Sequence, residues 1–173
     1  MSYDLFFIPA EPLTRERFDA YFASRAHFRL DPDGATYENE DTGVYFHFIA
    51  DADGRPKFNM NYGRPSPFGL EAAAEVAAFI ETFTLGIFDP QSGGMDEGPF
   101  TEEAFLDAWS YNNALSVQLI RDQYQVQFET LCGADIRLLW RWNRQCRKRS
   151  VELGLTVPMV HSVRVCLTRG ELR

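Results

Sequence analysis

The chain has 173 residues, of which 45% are hydrophobic and 14% aromatic, with 15 Phe. That is enough apolar material for one core without disulfides or a structural metal, and too much for a disordered chain. No run of 18 apolar residues is present and the formal charge is −8, which argues against a membrane span and against direct binding of nucleic acid.

The apolar run that follows Met1 has no basic stretch before it, so a secretory signal is not expected and a soluble cytoplasmic protein is. Cys132, Cys146 and Cys166 are odd in number and widely spaced. They read as reduced thiols packed as small hydrophobes, not as a disulfide framework or a zinc site. The charge is unevenly spread. Residues 1–110 hold 20 acids and 7 bases, a net of −13, whereas residues 111–173 hold 5 and 10, a net of +5.

In chain order, residues 3–8 read as a buried strand ending at Pro9. A helix over about 14–26 follows, with Phe18, Tyr21, Phe22 and Ala26 at helical spacing, Thr14 as its N-cap and Leu13 stapled to Phe18. Residues 35–62 read as a meander. Val44, Phe46 and Phe48 alternate with Tyr45, His47 and Ile49, and Phe58, Met60 and Tyr62 alternate with Lys57, Asn59 and Asn61, about an Asp-Ala-Asp-Gly turn at 51–54. The segments 44–49 and 57–62 are therefore expected to pair antiparallel, burying Phe46, Phe48, Phe58 and Met60 on one face. An earlier strand near 35–38 would join them through a turn over 38–43. Asn59 and Asn61, on the other face, suggest a polar sheet surface able to host a partner.

After the rigid loop at 63–67, a helix over about 68–83 is expected, with Leu70, Ala73, Ala77, Ile80 and Phe83 along its inner side. A short strand at 85–88 and a turn-rich loop at 89–99 follow. Thr101 caps a helix over about 102–121, where Phe105, Trp109, Asn112, Leu115 and Leu119 form a stripe and Phe100 meets Phe105. Residues 122–132 are ambiguous. A helix over about 134–152 carries Ile136, Leu139, Trp140 and Trp142, the two indoles on different sides so that one is expected to be partly exposed, and has a basic end at Arg144, Arg147, Lys148 and Arg149. Val163, Val165 and Leu167 suggest a last strand. The order describes one α+β domain, a mainly antiparallel sheet with helices packed on it.

The chemistry-bearing residues form no motif. The Asp-x-Asp-Gly pieces at 31–34 and 51–54 lack the remaining oxygen ligands of a calcium loop and read as turns. His27, His47 and His161 have no metal-ligand spacing, and no metal or cofactor is expected. The glycine-rich 92–98 stretch lacks the Lys of a phosphate loop. The acidic residues that remain lie in turns, where side chains project. A partner is expected to dock on Glu38, Glu40, Asp41, Asp51, Asp53, Asp96 and Glu97, whose field would attract a basic protein.

The phrases ENEDTGVYF at 38–46, FNMNY at 58–62, FGLE at 68–71, DPQ at 89–91, WRWN at 140–143 and ELG at 152–154 together resemble a group of bacterial proteins met near secreted polymorphic toxins. The resemblance covers about residues 1–165 and brings no catalytic residues with it. It implies an immunity protein that neutralises a cognate toxin by occluding its active or substrate-binding cleft. Two other readings stay open. One is a small hydrolase-like enzyme with an Asp/Glu-His site, built on His47 or His161, assembled only in the fold. The other is a secretion adaptor that carries an effector protein.

Overall fold

Period-two alternation builds the sheet, and its order sets which face is free. The computed structural model describes residues 1–91, 93–125, 127–128, 131–160 and 166–167. Strands β1 (Ser2–Ile8), β2 (Phe28–Asp31), β3 (Gly34–Asn39), β4 (Val44–Ile49), β5 (Lys57–Asn61) and β6 (Gly86–Phe88) lie in the order β2-β3-β4-β5-β1-β6. Every neighbouring pair is antiparallel. The expected pairing of 44–49 with 57–62 is present, with Phe48 opposite Phe58, and Phe46, Phe48, Phe58 and Met60 are fully buried. The chain is thus an α+β fold on an antiparallel sheet.

Four helices accompany it: α1 (Arg15–Ala23), α2 (Pro67–Phe83), α3 (Glu102–Tyr124) and α4 (Gly133–Leu153). Thr14 and Thr101 cap α1 and α3 by accepting from Arg17 N and Ala104 N. Leu13 and Phe18 are both buried, and the Phe100 and Phe105 rings lie 5.9 Å apart, as the staples require. α1, α2 and the first half of α3 supply Phe18, Phe22, Ala72, Ala73, Val76, Phe79, Phe105, Ala108 and Trp109 to one core against Tyr3, Leu5 and Phe7 of the sheet. Gly69 lets α2 and α3 approach, since a Cβ there would stand 2.8 Å from the Trp109 ring. Among the described residues no helix is long and apolar enough to cross a membrane.

Several expectations need correction. β2 is an additional strand, and α1 ends at Ala23, so the turn through His27 (φ 67°) leads directly into it. β1 is buried on one face only, with Phe6 and Ile8 39% and 45% exposed. The inner side of α2 is Phe68, Ala72, Ala73, Val76 and Phe79; Leu70 and Ala77 lie beside it. In α3 the stripe holds for Phe105 and Trp109 and then fails, because a helix of 23 residues outruns the sheet. Leu115 and Leu119 are 41% and 56% exposed. β7 (Gln127–Phe128) and β8 (Cys166–Leu167) form a short antiparallel ribbon; Val163 and Val165 of the expected last strand lie outside the described residues.

Candidate binding face

The strands of the sheet place Arg29, Thr36, His47, Asn59 and Asp4 in one row on the face opposite the core, through the registers Arg29↔Thr36, Thr36↔His47, His47↔Asn59 and Asp4↔Asn59. The side chains of this face bond to one another across strands. Thr36 Oγ1 donates to Asp31 Oδ2 at 2.5 Å, and Asp31 also pairs with Arg29. With its own proton so placed, the Thr36 oxygen accepts from His47 Nδ1 at 3.0 Å, which leaves Nε2 as the unengaged ring nitrogen. On the neighbouring strands Asn59 Nδ2 and Ser2 Oγ donate to the two oxygens of Asp4, at 2.7 and 2.8 Å. Toward the other end the face becomes apolar: Ile8, Ile49, and Phe6 with Phe88, their ring centroids 6.1 Å apart.

The seven acids expected to bind a partner are distributed around this face, not gathered in one patch. Glu38 projects from the open face itself, opposite Tyr45. Glu40 lies in the following turn with its side chain 81% exposed. Asp51 and Asp53 occupy the turn at the opposite end of β4, about 20 Å away along a six-residue strand. They are exposed, and their carboxylates accept from Ala52 N and Arg55 N at the edge of a groove of about 460 Å³ beside Leu13 and Phe18. Asp96 and Glu97 are exposed in the loop after β6. Asp41 differs from the other six. Its side chain is 11% exposed, and Arg147 Nε of α4 donates to it at 2.5 Å while Arg147 Nη2 reaches Glu40 at 3.2 Å. The pairing with Asp41, and secondarily with Glu40, raises the Arg147 pKa further above its ordinary value. The basic run of α4 is likewise engaged within the fold. Arg144 and Arg149 lie over the rings of Trp140 and Trp142, and Lys148 is 3.7 Å from Glu152.

Two buried carboxylates were not anticipated. Glu71, 5% exposed, faces inward from α2 and accepts three bonds: Tyr37 Oη at 2.6 Å, Asn39 Nδ2 at 3.0 Å and Trp140 Nε1 at 2.6 Å. Asp89, 2% exposed, accepts from Tyr3 Oη at 2.5 Å and from the amides of Gln91 and Met95, so it shapes the loop that carries Asp96. Their partners titrate accordingly. Burial, then the adjoining carboxylates, hold the Tyr3, Tyr37 and Tyr62 hydroxyls above the ordinary tyrosine value of about 10. The fold favours the neutral phenol, so this stabilisation is complete below about pH 10 and is lost as pH rises toward the folded-state values. Urea titrations at about pH 8 and about pH 11 should give a lower unfolding free energy at the higher pH, with part of the tyrosinate absorbance developing only on unfolding. Equal stability at both would refute this.

The other candidates are placed as follows. His27 is exposed and edge-on to the Tyr37 ring, and His161 lies outside the described residues. His47 reaches a carboxylate through Thr36, on an open sheet surface, and no histidine lines the groove beside Leu13 and Phe18. Both Asp-Gly pieces are turns between strands. Cys132 is exposed and Cys146 buried, both free thiols.

Fold and site together define a two-layer α+β protein with helices on one face of an antiparallel sheet and a hydrogen-bonded polar row on the other. No protein-family model, no curated protein and no solved structure matches the chain.

Proposed function

We propose that the chain is an immunity-type binding protein that, in the cytoplasm, covers the active or substrate-binding cleft of a cognate bacterial toxin. The open sheet face carries this reading. It offers fixed donors and acceptors at Thr36, His47, Asn59 and Asp4, an apolar end at Phe6, Ile8 and Phe88, and exposed acids at its margins. Specific interfaces combine apolar anchors, hydrogen bonds and a polar rim, and this face offers all three. The face measures about 24 Å across six strands and about 20 Å along them, on the order of 500 Å². A standard interface needs about 800 Å² from each partner, so the turns bearing Glu40, Asp51 and Asp53 would join it. The likeness of the chain's phrases to proteins encoded near polymorphic toxins supports the same reading.

Reversing Glu38 and Glu40 to Lys should slow association about tenfold at low ionic strength, and the difference should shrink as salt screens it. Asp41 is left unchanged in that variant, because its side chain is 11% exposed and a Lys there would bury a charge against Arg147, whereas Glu40, also within reach of Arg147, is 81% exposed and screened by solvent. The functional test begins with capture of the partner from native cells and its expression alone or with this chain. The proposal requires that the partner alone stops growth and that co-expression restores it. A partner that is toxic in both cases, though bound, would make the chain an adaptor; a harmless partner would remove the immunity reading altogether.

A further inference from the structure

A second site lies at the margin of the open face. β4 and β5 pair only as far as His47↔Asn59. Beyond that point Tyr45 packs against Phe68 at the start of α2, with ring centroids 5.4 Å apart, and a cleft of about 380 Å³ opens between the turn after β3, the loop before α2, and α4. One part of its wall is apolar, from Pro65, Phe68, Leu139 and Trp140, and the rest is polar, from Glu40, Asp41, Thr42, Arg64 and Asn143.

Most polar groups of this cleft are bonded, Glu40 and Asp41 to Arg147 and Asn143 to Val160, but two lining atoms are not. The Arg64 guanidinium lies over the Tyr45 and Phe68 rings, 4.8 and 5.7 Å from their centroids, and bonds to the Tyr45 hydroxyl. It has no carboxylate partner among the described residues. Its Nε is buried without a hydrogen-bond partner, and so are Thr42 Oγ1, which also lines the cleft, and Ser66 Oγ, which sits between two lining prolines. Buried polar atoms are nearly always bonded, so two unpartnered atoms in one cleft, one of them on the guanidinium, mark a place where an acceptor is wanted. Two aromatic rings fix the guanidinium without neutralising it. The positive end of α2, whose Ser66 cap makes no side-chain bond, opens beside it.

We propose that this cleft binds a small apolar carboxylate, held by Arg64 and the Thr42 hydroxyl with its apolar body against Phe68, Leu139 and Trp140. A monoanion fits better than a phosphate. Glu40 and Asp41 stand at the same cleft, satisfied by Arg147, and would repel a second negative charge. A cavity of this size, with an apolar wall facing a cation that has no carboxylate partner among the described residues, suits a small organic acid or the free C-terminus of a peptide ending in an apolar residue. The inference does not rest on the proposed immunity function, although the cleft shares Tyr45 and Glu40 with the open face and its margin.

Calorimetric titration of the full chain tests it. The probes are octanoate, phenylacetate, and an apolar-ended hexapeptide with either a free or an amidated C-terminus. Octanol and inorganic phosphate are the controls. One-to-one binding of at least one carboxylate is expected, with binding to octanol and phosphate at least tenfold weaker. Arg64→Gln should lower the affinity about tenfold or more, and Thr42→Val should lower it in the same direction even if the Arg64 variant folds poorly. Preference for octanoate or phenylacetate identifies a free acid as the ligand, whereas preference for the free over the amidated peptide identifies a chain terminus. Absence of saturable binding by every carboxylate up to about 10 mM, or unchanged affinity in both variants, overturns the proposal.

Discussion

Phe79→Ala is expected to lower the free energy of unfolding by about 3–5 kcal/mol. Phe79 is fully buried on the inner side of α2, and its ring centroid lies within 4.9–6.0 Å of those of Phe7, Phe18, Tyr21, Phe22, Phe48 and Phe83. One side chain therefore joins α2 to α1 and to two strands. Removing it leaves a cavity whose aromatic lining is drawn from several elements and cannot close by moving one of them. A domain of this size holds about 5–15 kcal/mol in total, so the loss is a large share. Urea denaturation of this variant beside Phe6→Ala gives the check, since Phe6 is 39% exposed and its truncation should cost under about 1 kcal/mol. Equal midpoints for the two variants would contradict the assignment of Phe79 to the core.

Glu71→Ala should cost about 3 kcal/mol or more by another route. The carboxylate receives donors from β3, through Tyr37 and Asn39, and from α4, through Trp140. Truncation strands three donors at once, each an unsatisfied group worth about 1–3 kcal/mol if it stays dry. It also removes a main tie between α4 and the rest of the fold, which otherwise depends on Arg147 with Glu40 and Asp41. Hydrogen exchange can separate these effects: α4 amides should lose protection first in Glu71→Ala, while β4 and β5 lose it only with global unfolding. Uniform loss across the chain would show that α4 does not depend on this carboxylate.

The hairpin of β4 and β5 was legible because Val44, Phe46, Phe48, Phe58 and Met60 alternate with polar or half-exposed residues about an Asp-Gly turn. β2 was not, because FRLD is four residues long and follows a helix with no glycine or proline between. The face of α2 was misjudged because alanines occur all round it, so pattern gives little contrast. Six of the seven acids face solvent, five of them from turns or loops; Glu38 does so from strand β3, not from the expected turn. Asp41 escaped because its partner, Arg147, stands 106 residues later. The Glu71 network escaped for the same reason, although a glutamate beside Phe68 and Ala72 on an inward helix face was a usable signal. Local pattern specifies strands and turns; buried polar networks are set by contacts distant in sequence.

The open face of the sheet is the proposed docking surface. The most direct measurement is the affinity of the captured partner for the double variant His47→Trp, Asn59→Trp. These cross-strand neighbours lie in the centre of the polar row, away from the core, and Trp suits a strand, so the fold should be retained and its circular dichroism unchanged. Two indoles at that point would hold a partner off the surface. A loss of affinity of about a hundredfold or more, carried mainly by faster dissociation, is the predicted result. Binding at the wild-type affinity by the folded variant would contradict the account, because the partner would then be recognising another surface.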